Sequence, residues 1–463
     1  MMATKSLLHK TNYFFTAKVH IAPLAVFRVL YGALMLFASL RFVAKGWVSE
    51  LYLKPKFFFH YFGFSWVKPP TAYGLPDWLT YAVFIAMALA ALGVLLGYFY
   101  RVSALSFALL FTYTELWDIT NYLNHYYFVS LLSFLMVLLP ANQAFSLDAR
   151  YNPLIKSTYT PRWTILVIQL QLGIVYFMAG VAKINPDWLL EAQPLRLWLA
   201  AHSEFPVLGT LFTYTWVAYA FSWFGMFYDI SIPFFLSYKK TRIPAYAAVV
   251  IFHILTGLLF PIGVFPWVMI GLTLIFFPAS FHKNILKVFK YRFSGTFAPV
   301  FTTKAFARAI AFVLGLFFVF QLLFPFRYLA YPGNLFWTEQ GFRFSWRVML
   351  IEKAGLAQFY IENENGQRIA VENKRFLTNR QEKMMATQPD LILQYAHYLS
   401  DQYSTVDNPQ PAVYVDSFVA LNGRQSRRFI PETLNLNLIK DDWKHRSWLI
   451  PFNQNQTHYA KQQ

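Results

Sequence analysis

Cysteine is absent from all 463 residues, and charged residues make up only 13% of them. The first absence excludes disulfide bonds, cysteine-based metal sites and thiol nucleophiles. The second excludes an ordinary soluble protein, in which about a quarter of the residues are charged. Apolar residues are abundant instead: 57% of the chain is hydrophobic, and 50 residues are phenylalanine. This composition predicts a polytopic α-helical membrane protein with the lipid bilayer as its main partner.

The formal net charge of +18 comes mainly from basic residues in short loops between apolar runs. This distribution follows the positive-inside rule of membrane proteins, so we predict no nucleic-acid partner. We also predict no metal site.

Nine apolar runs approach the roughly 20 residues that cross a bilayer as a helix. If all nine cross, the basic loops fall on one side together with Lys5, Lys10 and Lys18. We therefore predict a multi-pass membrane protein with a cytoplasmic N-terminus. The third, seventh and eighth runs are short enough to be tilted, buried or partly re-entrant. The nine predicted transmembrane helices are 22–42, 78–98, 102–119, 122–140, 163–183, 214–236, 244–260, 263–278 and 306–326.

The composition changes after residue 327, which predicts a transmembrane domain over 1–327 and a β-rich extracytoplasmic domain over 328–463. Apolar and polar residues alternate over 359–363, 368–372 and 413–421, as in β-strands. Asn365-Gly366 and Asn422-Gly423 are hairpin-turn dipeptides. Residues 380–402 are predicted to form one helix.

Few ionisable residues interrupt the apolar runs. Arg28 and Asp229 both lie towards the predicted cytoplasmic side, and we interpret them as a structural pair between two helices. Such residues are rare in membranes because an isolated charge there is costly.

Four further polar residues, Asn124, His125, Lys183 and His253, share the outer half of the predicted bilayer. Their common depth favours one outward-facing cavity with Lys183 as a catalytic base. Two other interpretations are open. Lys183 can be an interfacial lysine whose ammonium reaches water, and a membrane histidine can serve only as a helix-to-helix hydrogen bond.

Three stretches of the sequence are specific enough to identify relatives. They are Tyr-Leu-Asn-His-Tyr-Tyr (122–127), Val-Tyr-Phe-Met-Ala-Gly-Val-Ala-Lys-Ile-Asn-Pro-Asp-Trp (175–188) and Trp-Thr-Glu-Gln-Gly-Phe-Arg-Phe-Ser-Trp-Arg-Val-Met-Leu (337–350). With them the chain resembles the vitamin K-dependent γ-glutamyl carboxylase family, including its bacterial members and the related horizontally transferred transmembrane domain proteins. The resemblance covers nearly the full length, and the resemblance to the bacterial members implies a location in a bacterial inner membrane.

The resemblance implies a reaction. A reduced naphthoquinone, reduced vitamin K or menaquinol, is epoxidised by O2, and the strong base formed removes a γ-proton from a protein glutamate, which then captures CO2. No side chain is basic enough for that proton, so the cofactor must supply the base. The expected partners are an isoprenoid quinol from the bilayer and a glutamate-containing protein or peptide.

The resemblance also implies site residues. Lys183, His125 and Asn124 are expected to be catalytic, with Lys183 ionising the quinol. The chain departs from the family at Phe342, where relatives usually have tyrosine or histidine, and at Ile351, where animal members have histidine. The residues expected to bind quinol or substrate are Tyr176, His253, Trp337, Phe342 and Arg343.

Two alternatives compete with a carboxylase. One is a quinol epoxidase or monooxygenase without carboxylation. The other is a non-enzymatic membrane transporter or sensor, although no inverted repeat of the kind found in transporters is evident.

Overall fold

The computed structural model describes residues 14–295, 297, 300 and 303–452. Lys5 and Lys10, on which the predicted cytoplasmic N-terminus partly depends, lie outside the described residues. A helical part comes first, and a smaller part with a four-stranded sheet follows.

Each of the nine predicted spans contains a helix, and shorter helices connect some of them. A small antiparallel pair of strands, β1 (Lys18–His20) and β2 (Tyr159–Pro161), joins the ends of two long helices. The helices of this part are α1 (Ala22–Ala44), α2 (Asp77–Leu96), α3 (Tyr100–Glu115), α4 (Asn124–Leu138), α5 (Leu147–Tyr151), α6 (Trp163–Ala182), α7 (Pro186–Leu190), α8 (Leu195–Ala200), α9 (Gly209–Phe212), α10 (Thr215–Ser237), α11 (Arg242–Leu259), α12 (Phe265–Leu272), α13 (Ala279–Val288) and α14 (Lys304–Leu323).

Within the described chain, five helical segments are long and apolar enough to cross a membrane: α1, α2, α6, α11 and the segment Ala305–Ala330 that includes most of α14. A sixth is obtained if Phe265–Phe276 and Ala279–Val288 form one span, although a bend of 116° separates them. Helices α3 and α4 have 16 and 15 residues, fewer than the roughly 20 that a full crossing needs. Length and composition therefore support a membrane protein with five or six spans.

The predicted pair of Arg28 and Asp229 does not form. Arg28 is fully enclosed, and its guanidinium donates to the carbonyl oxygens of Ala141 at 3.0 Å and Ala144 at 3.3 Å, and to that of Phe145. It therefore holds the loop after α4 against α1. Backbone carbonyl oxygens carry partial negative charge, and several of them together can stabilise a cation without a carboxylate. Asp229 contacts a different residue.

The C-terminal part is built on one antiparallel sheet in the order β4-β3-β5-β6. Buried and half-buried residues alternate strictly along β5, which confirms the predicted period of two. The predicted turn dipeptides connect β3 to β4 and β5 to β6, with positive φ at Gly366, Asn422 and Gly423. The strands are β3 (Lys353–Glu362), β4 (Arg368–Ala370), β5 (Val413–Leu421) and β6 (Arg427–Arg428), and the α-helices are α15 (Leu335–Thr338), α16 (Asn379–Met385) and α17 (Pro389–Gln402).

The single helix predicted over 380–402 is wrong. Two helices occupy this region, and the chain between them is extended at Gln388. Pro389 is the cause, because proline lacks a backbone N–H and disfavours a helical conformation at the preceding residue. It fits instead as the first residue of α17, where that N–H has no intrahelical partner.

A buried ion pair attaches the sheet to the helical part. The guanidinium of Arg424 donates to both carboxylate oxygens of Asp187, at 2.9 and 2.8 Å. Asn422 donates to the same carboxylate at 2.6 Å. Because Asp187 lies only four residues after Lys183, at the start of α7, this contact also fixes the segment that follows α6.

Candidate functional site

Lys183 lies at the C-terminal end of α6, where Asn185-Pro186 stops the helix. Asn185 accepts a hydrogen bond from the backbone N–H of Trp188 and so caps the next helix, α7. The sequence prediction that α6 ends at this point is confirmed. The lysine side chain turns back into the bundle, with its ammonium 3.3 Å from the carbonyl oxygen of Ala179.

The partner of Lys183 is Asp229. The Nζ atom lies 2.7 Å from Oδ2 of Asp229, and the two side chains are only 8% and 7% exposed. This geometry excludes an interfacial lysine whose ammonium reaches water. Asp229 lies in the interior of α10, so Lys183 is held at the depth of that helix interior and not at its end.

Glycines allow the helices that carry this pair to approach closely. A Cβ atom on Gly180 would lie 2.7 Å from the backbone nitrogen of Ile230 and 3.1 Å from the carbonyl carbon of Asp229. Gly225 on α10 also faces the lysine stem, but a Cβ there would lie at an ordinary contact distance of 3.9 Å from Cε of Lys183, so Gly180 is the glycine that the close approach requires. A motif with glycine three residues before lysine thus lets the ammonium reach the facing helix.

A second polar pair includes Tyr176, which lies about two turns before Lys183 on α6. The hydroxyl of Tyr176 and Nε2 of His253 are 2.9 Å apart, which connects α6 to α11. The other ring nitrogen, Nδ1 of His253, is buried and has no hydrogen-bond partner among the described residues. An unsatisfied buried nitrogen of this kind is available to a ligand.

Both pairs line one cavity of about 590 Å³. Its volume lies within the range of small-molecule and cofactor sites, roughly 300–1,000 Å³. The rest of its wall is largely aromatic or aliphatic, including Phe221, Phe224, Phe252, Phe260, Phe265 and Met349.

Asn124 and His125 lie just outside this cavity. The ring of His125 stacks on Phe265 at 5.1 Å, and Phe265 meets the ring of His253 edge-on at 6.0 Å. The side-chain amide of Asn124 donates to the carbonyl oxygen of Arg347 at 3.1 Å. The two residues therefore contact the chain segments that form the cavity wall, but they do not line the cavity themselves.

Trp337, Phe342 and Arg343 do not line this cavity. Trp337 is 2% exposed within the C-terminal part, and its indole N–H donates to the carbonyl oxygen of Ile450. Phe342 packs near Phe336 in the same region. The position of Trp337 therefore does not support a direct contact with quinol.

Arg343 lies in a different place, beside a second cavity of about 350 Å³ between the helical and C-terminal parts. There it forms an ion pair with Asp390. A role for Arg343 in substrate binding stays a prediction.

The main functional residue that the sequence argument placed wrongly is Asp229. A lone carboxylate in an apolar run is stabilised by a basic partner, and the sequence contains two candidates for the partner of Asp229, Arg28 and Lys183. The signal that favours Lys183 is Gly180, which marks a close approach of helices near that lysine.

A reduced isoprenoid quinone fits the cavity on two observations. The apolar wall suits a lipid-soluble molecule. Four polar side chains supply hydrogen-bonding groups for its two hydroxyls, and one of these groups, Nδ1 of His253, has no partner among the described residues. The four residues are Tyr176, Lys183, Asp229 and His253. When bound, such a quinol would supply on reaction with O2 the strong base that side chains lack.

The chain matches two protein families over most of its length. Residues 16–281 match the HTTM domain, and residues 306–455 match the lumenal domain of vitamin K-dependent gamma-carboxylase. No solved structure matches the chain. The chain belongs to the vitamin K-dependent γ-glutamyl carboxylase family.

Proposed function

We propose that the protein is a quinol-dependent γ-carboxylase, which couples epoxidation of reduced vitamin K or menaquinol by O2 to carboxylation of protein glutamate with CO2. The observation that carries this proposal is the enclosed pair of Lys183 and Asp229 at the wall of a large apolar cavity, in a chain of this family. The enclosure excludes water, which would otherwise quench a strong base.

In this proposal Lys183 and Asp229 act as one acid–base unit. An ammonium already bound to a carboxylate cannot accept a proton itself. The pair can accept one, either at the carboxylate or at the amine after the ammonium has given its proton to Asp229. The accepted proton is therefore held by the pair and not by either residue alone. The remaining positive charge stabilises the quinol anion that results from proton removal.

Tyr176 and His253 orient the quinol in this proposal. Nε2 of His253 is engaged by the hydroxyl of Tyr176, so Nδ1 remains to contact a quinol oxygen. Asn124 and His125 act indirectly, by holding Phe265 and the chain segment that carries Met349 at the cavity wall.

The proposed topology follows from the basic loops. An odd number of crossings, either the five helical segments that are long and apolar enough or the nine apolar runs of the sequence, would place the domain that begins near residue 328 outside the cytoplasm if the N-terminus is cytoplasmic. Protease added to right-side-out vesicles should then trim this domain, and protection there with cleavage in inverted vesicles refutes the arrangement.

The function is tested with purified protein reconstituted in lipid, reduced menaquinone, O2, ¹³C-bicarbonate and a glutamate-containing peptide. Mass spectrometry should detect ¹³C on glutamate together with quinone epoxide, and no label on a matched peptide with glutamine. Epoxide without label on glutamate favours the epoxidase. Neither product, with intact folded protein, contradicts both.

A further inference from the structure

Arg347 is an enclosed arginine without an acidic partner in the described part of the chain. Its residue exposure is 7%, and its Nε has no hydrogen-bond partner among the described residues. The guanidinium carbon lies 4.3 Å from the centre of the Tyr328 ring. Arg343 and Arg424, by contrast, each contact a carboxylate. Burial lowers the pKa of Arg347, and Tyr328 only partly opposes this effect. An uncompensated buried cation favours an anionic ligand.

Arg347 is one of the residues that line a cavity of about 180 Å³. This cavity uses a different face of α6 from the large one, because it is lined by Met178 and Val181 and not by Tyr176 or Lys183. Asp187 also lines it, but Arg424 already neutralises that carboxylate. The net electrostatic preference of the cavity is therefore for an anion.

The cavity lies between the ends of two apolar helical segments, α6 and Ala305–Ala330. Both apolar and polar residues form its wall. Ile184 and Phe326 at this wall are 58% and 37% exposed. Farther along α14, Phe320 and Leu323 are 48% and 66% exposed. A polar end beside Arg347 and an apolar path along a helix match the two ends of a phospholipid.

We propose that this cavity binds the phosphate of a membrane phospholipid, with the guanidinium of Arg347 as its main contact and the amide of Asn334, which lines the same cavity, as a second donor. Arginine binds phosphate through paired charge-assisted hydrogen bonds. Basic pockets between membrane helices bind lipid headgroups in the same way. The acyl chain lies against the exposed face of α14. The site is independent of the quinol cavity and of the proposed reaction.

Native mass spectrometry of the delipidated full-length protein tests this site. The probes are phosphatidylglycerol, diacylglycerol, which lacks the phosphate, and inorganic phosphate. We expect saturable binding of phosphatidylglycerol, with Kd about 10- to 100-fold higher in Arg347→Gln and an intermediate value in Arg347→Lys. The matched control is Arg101→Gln, since Arg101 is an exposed arginine at the start of another apolar helix. Its Kd should equal that of the wild-type protein.

Three results overturn the proposal: equal affinity of wild-type protein and Arg347→Gln, diacylglycerol binding as tightly as phosphatidylglycerol, or inorganic phosphate displacing the lipid at equal concentration. The last result assigns a free-anion site. If Arg347→Gln does not fold, two measurements still decide between these outcomes. They are the affinities of the wild-type protein for the two lipids and the affinity of Arg347→Lys for phosphatidylglycerol. None of the readouts requires carboxylase activity, so failure of the proposed function leaves the test intact.

Discussion

The ammonium of Lys183 lies 2.7 Å from a carboxylate oxygen of Asp229 in the interior of α10. Two opposite charges enclosed in this way depend on each other, because removal of one leaves the other uncompensated. The close approach of α6 and α10, the end of α6 at Asn185-Pro186, and the contact of Arg424 with Asp187 all hold this pair in place.

We expect Gly180→Ala to reduce activity strongly. The added methyl group would lie 2.6 Å from a side-chain carbon of Ile230 and 2.7 Å from its backbone nitrogen, so α6 and α10 must separate. Overpacking of this kind costs about 1–3 kcal/mol of unfolding free energy. The measurements are epoxide formation and the thermal midpoint.

The matched control is Gly173→Ala on the same helix. A methyl group there would meet only Cβ of Pro233, at an ordinary 3.5 Å. We expect nearly normal activity. Equal effects of the two substitutions would mean that close helix approach at Gly180 is not what the site requires.

Tyr176→Phe should weaken quinol binding more than it lowers the free energy of unfolding. It removes the hydroxyl that engages Nε2 of His253, and a buried group left without its partner costs about 1–3 kcal/mol. We expect the KM for quinol to rise by about 10-fold with a smaller change in kcat. Tyr246→Phe is the control, since its hydroxyl donates to the carbonyl oxygen of Ile270 and not to a member of either pair. An unchanged KM in Tyr176→Phe would contradict the orienting role.

Arg424→Met should destabilise the contact between the C-terminal part and the helical part. It leaves Asp187 enclosed without its cation, which costs about 3–5 kcal/mol for a buried pair. The control Arg428→Met removes a half-exposed pair with Asp416, for which the expected cost is about 0–1 kcal/mol. Thermal unfolding followed by tryptophan fluorescence measures both. Equal losses of stability in the two variants would show that the Arg424 contact is not a main attachment of the C-terminal part to the helical part.

The C-terminal part should lose stability in acid through Asp390. Burial alone would raise the pKa of this carboxyl, but Arg343 and Arg446 outweigh burial and hold the pKa well below its ordinary value. The unfolded chain has an aspartate pKa of about 3.9. The stabilisation is therefore complete above that pH and is lost as the pH falls below about 4.

Asp390→Asn provides the comparison for this pH dependence. The difference in thermal midpoint between wild-type protein and variant should be constant above about pH 5 and shrink below about pH 4. A difference that persists unchanged at low pH would contradict the assignment to the charge of Asp390.

Local features were predictable from the sequence, and non-local contacts were not. A helix forms within each of the nine apolar runs, and the alternation over 413–421 predicts β5 correctly. These patterns depend on neighbouring residues. Pro389 carried the signal for two helices in 380–402, and the prediction overlooked it.

The site was only partly predictable for the same reason. Lys183, Tyr176 and His253 were identified as site residues, and the structure brings them to one cavity. The partner of Asp229 depends on how α6 and α10 pack, which loop charges do not reveal. Arg28 finds carbonyl oxygens of a loop distant in sequence. Trp337 belongs to a specific motif, but the fold uses it in the C-terminal core.

The central claim is that Lys183 and Asp229 together ionise the quinol, and parallel assays of epoxide and carboxylated peptide test it most directly. The variants are Lys183→Ala and Asp229→Asn in reconstituted protein, with quinol binding measured separately. We expect quinol binding to persist while both products fall together by at least about 100-fold, and a small added amine to restore part of both in Lys183→Ala. Normal epoxide formation with loss of carboxylation alone would contradict the account and favour His253, the histidine that lines the cavity, as the base.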